Sequence, residues 1–111
     1  MQEEKQTLTT QQAIDVAIEH HQAGRLSQAE NIYQHILAGK PNQPTALHLL
    51  GVIAHQTGKD DLALDMISKA LTVDPDYAEA HNNLGKVLED IGNLSNALDR
   101  YEIAAAIEPN L

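Results

Sequence analysis

Like residues recur along this chain at an interval of 34 positions, and that periodicity limits the possible fold more than any other feature. Gly24, Gly58 and Gly92 form one set, and Pro41, Pro75 and Pro109 another. Ala29, Ala63 and Ala97 make a third, and Val16, Leu50 and Leu84 a fourth. The small residues Ala17, Gly51 and Gly85 make a fifth. Residues 10–43, 44–77 and 78–111 therefore read as three copies of one unit, with residues 1–9 as a polar leader expected to be flexible. Self-similarity at such a period signals stacked supersecondary units, each too small to bury its apolar face alone.

Each copy carries two amphipathic helical patterns, separated by the glycine and closed by the proline. The glycine stands where the first helix must stop and the chain reverse through a left-handed conformation. The proline cannot continue the second helix. Thr9 and Gln12 form a capping box for a helix to about Ala23, with Ala13, Val16, Ala17 and His20 as its buried stripe. Ser27 and Glu30 predict a second capping box, for a helix to about Ala38 buried through Ala29, Ile32, Tyr33, Ile36 and Leu37. Pro44 suits the first turn of a third helix ending near Thr57. Asp60 is expected to cap the fourth, which Asp74-Pro75 ends. The last two run from about Ala78 to Ile91 and from about Leu94 to Ile107. Gly85 and Ala97 would let the last pair approach closely, with Leu84, Leu88, Leu98 and Tyr101 filling the space around the contact. No segment reads as strand, so the expected class is all-α, six antiparallel helices in three pairs.

The pattern of large apolar residue, Leu-Gly, Ala, Tyr and Pro at this period resembles the tetratricopeptide repeat (TPR) family. The resemblance covers Thr10 to Leu111. It is most faithful in the third copy, through Leu84-Gly85, Ala97, Tyr101, Ala104 and Pro109. The first copy departs from it at Ala13, His20 and Ile36. The resemblance implies a right-handed superhelical solenoid in which the first helix of each pair lines a concave groove for an extended or helical peptide. Carried over residue by residue, that groove would be lined by Gln11, Ile14, Ile18, His21 and Gln22. Thr45, His48, Val52, His55 and Gln56 follow from the second copy, and Glu79, Asn82, Asn83, Lys86, Glu89 and Asp90 from the third. Some relatives clamp a C-terminal carboxylate with several cations on this face. Here Ile14, Ile18, His48 and Leu49 stand in comparable places and Lys86 is the only base, which argues against that activity.

Charge narrows the partners. Seven Lys and Arg oppose sixteen Asp and Glu, for a net −9. It is graded along the chain: −1 in the leader, then −1, −3 and −4 in the successive copies. Nucleic acid and anionic membrane would be repelled, and basic segments of proteins attracted. There is no cysteine, and aromatic residues are three tyrosines, so neither disulfides nor a pocket walled by rings is expected. The start has no apolar core for a secretory signal, and the run from Ala46 to Ala54 is interrupted by His48 and too short to span a bilayer. A cytoplasmic location is the expectation.

Catalysis is not legible. Ser27, Ser68 and Ser95 lie on helix starts or faces with no nucleophile elbow beside them. Among six histidines, His48 and His55 share a helix face seven residues apart, but no i,i+4 pair and no thiolate exist, so neither a metal nor a cofactor is expected. His20 and His81 read as packing residues and His35 as a surface one. The expected function is a non-catalytic protein-interaction module.

Two alternatives stand beside it. Asn82-Asn83-Leu84-Gly85 resembles the repeats that precede O-linked N-acetylglucosamine transferases, whose asparagines bind the backbone of substrate peptides. HQAGRLSQAENIYQHIL and ALHLLGVIA resemble the N-terminal repeats of bacterial proteins carrying such a domain. Asp15 and Leu49 interrupt the asparagine series. The second alternative is a self-assembling scaffold. The chain stops at a repeat boundary with Leu94, Leu98, Tyr101 and Ala105 expected to be uncovered. This suggests a fragment of a longer protein that self-associates weakly through that stripe.

Overall fold

The turns explain how the helices are laid out. Gly24, Gly58 and Gly92 have φ of +81°, +81° and +87°, a region closed to residues with a Cβ except under strain. Each turn is closed by a backbone bond reaching five residues back: Arg25 N–H to His20, Lys59 N–H to Ala54 and Asn93 N–H to Leu88, at 2.8–2.9 Å. At the other end of each pair the residue before proline is extended, with φ of −133°, −130° and −130° at Lys40, Asp74 and Glu108. The computed structural model describes residues 7–111. It contains α1 (Thr10–Gln22), α2 (Leu26–Gly39), α3 (Pro44–Gln56), α4 (Asp60–Val73), α5 (Ala78–Asp90) and α6 (Leu94–Ile107). No strand occurs among the described residues. Most of the expected leader, residues 1–6, lies outside them.

Three antiparallel pairs, α1/α2, α3/α4 and α5/α6, stack so that each second helix packs on the first helix of the next pair. The result is an elongated all-α solenoid, 62 × 27 × 23 Å. One apolar cluster joins the first pair to α3 through Ile14, Ala17, Tyr33, Ile36, Leu50 and Ile53. A second joins α4 to α5 through Ala63, Ile67, Leu71, Leu84 and Val87.

The Thr9–Gln12 capping box is present, with both reciprocal bonds at 2.9 and 3.1 Å. The other two expected caps are corrected. Ser27 lies inside α2, which begins at Leu26 behind Arg25 with no side-chain cap. Asp60 is the first residue of α4 behind Lys59, where its charge meets the helix dipole instead of capping a backbone N–H. The glycine turn causes both shifts, since its backbone bonds deliver the chain into the next helix two residues later. Only the third turn uses a side chain, Asn93 accepting from Asn96 N–H at 3.4 Å. His20 also departs from expectation. It is half-buried and accepts a hydrogen bond from Arg25 Nε at 2.8 Å.

The two outer edges differ. On α1, Gln12 and Glu19 are exposed where the equivalent Ala46/Ala80 and Ile53/Val87 of α3 and α5 are buried. On α6, Leu94 and Leu98 are 64% and 57% exposed. Leu98 therefore does not fill space around the last helix pair as expected. Tyr101 is half-buried rather than uncovered, because its ring occupies the place left by Gly85 and its hydroxyl donates to Glu89 at 2.7 Å.

The two helical glycines differ in what a methyl would meet. A Cβ at Gly51 would lie 2.7 Å from Cγ1 of fully buried Ile67, while one at Gly85 would meet the ring of half-exposed Tyr101 at the same distance. Alanine gains about 1 kcal/mol in helix propensity at either site. Overpacking of about 1–3 kcal/mol opposes it only where the neighbour cannot move. Urea unfolding is expected to show Gly51→Ala destabilised by about 1–2 kcal/mol and Gly85→Ala near neutral.

Candidate interaction groove

Helices α1, α3 and α5 run in parallel, and polar side chains bridge them with one recurring offset. His21 Nε2 donates to Gln56 Oε1 at 2.7 Å, and His55 Nε2 donates to Asp90 Oδ2 at 2.6 Å. His48 Nε2 meets Asn83 Nδ2 at 2.7 Å. In all three the partner lies 35 residues on, one repeat plus one position. The residues considered above as metal candidates are thus tied to the neighbouring repeat. Among the described residues no group of three or more His, Asp or Glu is placed to hold a metal ion. The same offset was present in the sequence, as His21 with Gln56 and His55 with Asp90.

His48 belongs to the core, not to the groove. It is 1% exposed, and its ring meets Tyr77 edge-on at 4.7 Å between centroids. Asn83 Nδ2 carries only hydrogens, so it donates to Nε2. The ring proton therefore sits on Nδ1, 2.9 Å from the Tyr77 hydroxyl oxygen that accepts it. Burial lowers the His48 pKa from 6.5 to about 4. The Tyr77 hydroxyl is pushed up, chiefly by burial, with the Thr45 hydrogen bond acting in the opposite sense and Glu79 and Asp74 adding to the rise.

A groove of about 460 Å³ lies between α1, α3 and the start of α5. Of the expected lining residues, Ile18, His21, Gln22, Thr45, Gln56 and Glu79 line it. Leu49 and Tyr77 line it as well. In the sequence Leu49 stands on the same concave face but outside the expected lining, and Tyr77 is the last residue of a copy. Ile14, expected in the groove, is 1% exposed and packs in the first apolar cluster, a correction like that for His48. Glu89 accepts from Tyr101, which holds its carboxylate toward α6. Val52, His55 and Asn82 are half-buried, and Gln11, Lys86 and Asp90 are exposed. Gln11 donates to Asp15 at 2.9 Å.

The buried histidine makes stability depend on pH with a definite sign. The folded state binds the His48 proton only near pH 4, whereas the unfolded chain binds it near 6.5. Its contribution is therefore intact above pH 6.5 and is lost as pH falls toward 4, by up to about 3 kcal/mol. Urea unfolding at pH 7.5 and 4.5 is expected to show a smaller difference for His48→Gln than for the unchanged chain.

A TPR repeat model matches residues 53–92, and a tetratricopeptide repeat model matches residues 16–72. No curated protein sequence matches the chain. Among solved structures, the chain resembles the Yersinia enterocolitica type III secretion chaperone SycD in complex with a peptide of the translocator YopD. The TM-score is 0.82 at 20% identity, over 95% of this chain and 80% of that one. It resembles the second TPR of Spaghetti (RPAP3) bound to the HSP90 peptide SRMEEVD, with a TM-score of 0.80 at 18% identity, over 86% of this chain and 89% of that one. MamA is similar at a TM-score of 0.80 and 20% identity over 89% of this chain, which spans 58% of the MamA chain. At these identities the likeness concerns the fold. The matched span of residues 16–72, set on paired helices with a 34-residue period, makes this chain a member of the tetratricopeptide repeat family.

Proposed function

We propose that this chain is a non-catalytic protein-interaction module that receives an extended or helical segment of a partner protein along α1, α3 and α5. One observation carries the reading. Ile18, Leu49 and Val52 remain half-exposed at neighbouring positions of α1 and α3, beside Ile14, Ala17, Leu50 and Ile53, which are buried in the core. A rigid face with aliphatic side chains among unpaired amides suits a peptide, whose backbone needs donors and acceptors and whose side chains need apolar contact. SycD and Spaghetti hold peptides on the same fold, which supports this use of it. The charge of −9 favours basic segments and disfavours nucleic acid or anionic membrane. No helix among the described residues is long and apolar enough to cross a membrane.

Delivery of substrate to an attached glycosyltransferase domain has narrower support. It rests on Asn82 and Asn83 and on the likeness of HQAGRLSQAENIYQHIL and ALHLLGVIA to such repeats, and the Asn83 amide already donates to His48.

The α6 edge favours a second role, weak self-association through Leu94 and Leu98, with Ala105 exposed beside them. The third copy's charge of −4 opposes the approach of two such edges until salt screens it. Sedimentation is expected to show association that grows with protein and salt concentration and disappears in a Leu94→Lys, Leu98→Glu variant. A strictly monomeric unmodified chain at high salt would rule out this role.

Selection of phage-displayed peptides on the immobilised chain tests the groove. Binders are expected to be lost with Val52→Glu and retained with Lys69→Ala on α4, with unchanged helical circular dichroism for both. Equal retention by the two variants would place the binding surface elsewhere.

A further inference from the structure

The groove between α1, α3 and the start of α5 has a chemistry that selects among peptides. Its floor is Ile18 and Leu49. Most of its polar walls are already committed: His21 and Gln56 bond to each other, and Tyr77 to His48 and Thr45. What remains for a ligand is hydrocarbon, the Gln22 amide and the Glu79 carboxylate. Glu79 is the only charged residue lining the groove, and it forms no ion pair among the described residues. Lys86 stands seven residues further along α5, about 10 Å at the helix rise, roughly a Debye length at physiological salt. It therefore leaves the field at Glu79 largely in place. The acids at the α4–α5 turn reinforce that field, and Glu79 and Asp74 both act on the Tyr77 hydroxyl at the groove wall. Asp15, one turn from Ile18 on α1, adds a further exposed carboxylate on the same side.

We propose that this groove takes a segment of a partner protein in which an aliphatic side chain, seated on Ile18 and Leu49, is followed closely by a lysine or arginine that meets Glu79. The proposal rests on the groove reading above and narrows it to one class of ligand. An acidic segment would place carboxylates against Glu79 with no cation lining the cavity to receive them, and like charges at close range oppose binding. The aliphatic contact supplies affinity and the carboxylate supplies choice.

The test uses three acetylated and amidated peptides that differ at two positions only, cationic, neutral or anionic in turn, GSLKLKSG, GSLSLSSG and GSLELESG, titrated onto the whole chain by calorimetry. The lysine peptide is expected to bind about fivefold more tightly than the serine peptide, a ratio set by one partly exposed ion pair. The glutamate peptide is expected to bind weakest, and the spread should narrow as salt rises. Glu79→Lys should reverse the order of the charged peptides, and Ile18→Ser should weaken all three. Circular dichroism is used to verify that both variants keep their helices. If the lysine and glutamate peptides bind alike, or Glu79→Lys leaves their order unchanged, while Ile18→Ser still weakens binding, the charge selection is wrong and the groove reading stands. If no peptide binds, or Ile18→Ser alters none, both fall together.

Discussion

The rest of this molecule depends on the close approach of two helices at a residue with little or no side chain. At Gly51 the space where a methyl would stand is taken by Ile67 Cγ1, and at Gly85 by the ring of Tyr101. With the axes that near, aliphatic side chains of moderate size complete most of the shell. Tyr33 is the one aromatic residue buried outright. Apolar contact of this kind is strong but non-directional. It holds a helix pair together without saying how one pair is set against the next.

The setting between pairs comes from hydrogen bonds. His21–Gln56, His55–Asp90 and His48–Asn83 join α1 to α3 and α3 to α5 at a common offset, and hydrogen bonds tolerate little slippage. The His48 rung has the greatest structural weight because its imidazole is buried. A misplaced partner would leave buried polar atoms without bonds, at a cost of about 1–3 kcal/mol each. Hydrocarbon therefore binds the second helices to their neighbours, and polar rungs align the first helices. The face so aligned is stiff, and the aliphatic residues left half-exposed on it stay in fixed positions.

The same construction gives the molecule two unlike edges. Gln12 and Glu19 make the outer surface of α1 polar where inner helices carry Ala, Ile or Val, whereas Leu94 and Leu98 keep the outer surface of α6 apolar. The groove has its own asymmetry, an aliphatic floor beside α1 and a lone carboxylate beside α5. The fold shared with SycD, Spaghetti and MamA does not carry this chemistry, which resides in side chains that differ among proteins of similar backbone.

Local chemistry repeated at a fixed interval was enough to determine the helices, their pairing and their turns from the sequence. A glycine forced into φ near +81° or a proline lacking an N–H acts on its immediate neighbours, so its effect can be read without the fold. Ser27 and Asp60 do not cap because the glycine turn puts the N-cap on the residue directly after the glycine, where Arg25 and Lys59 carry no acceptor and Asn93 does, and only the turn geometry shows this. The groove was legible as a face but only in part in its membership. Helical spacing puts Ile14 and His48 near its edge, and a small difference in helix rotation decides whether such residues turn toward solvent or core. Packing against the neighbouring pair set that rotation and buried both. It also opened Leu49 and Tyr77 to the groove and gave the histidines partners 35 residues away, since contacts between repeats depend on how the pairs stack and not on any one stretch of chain.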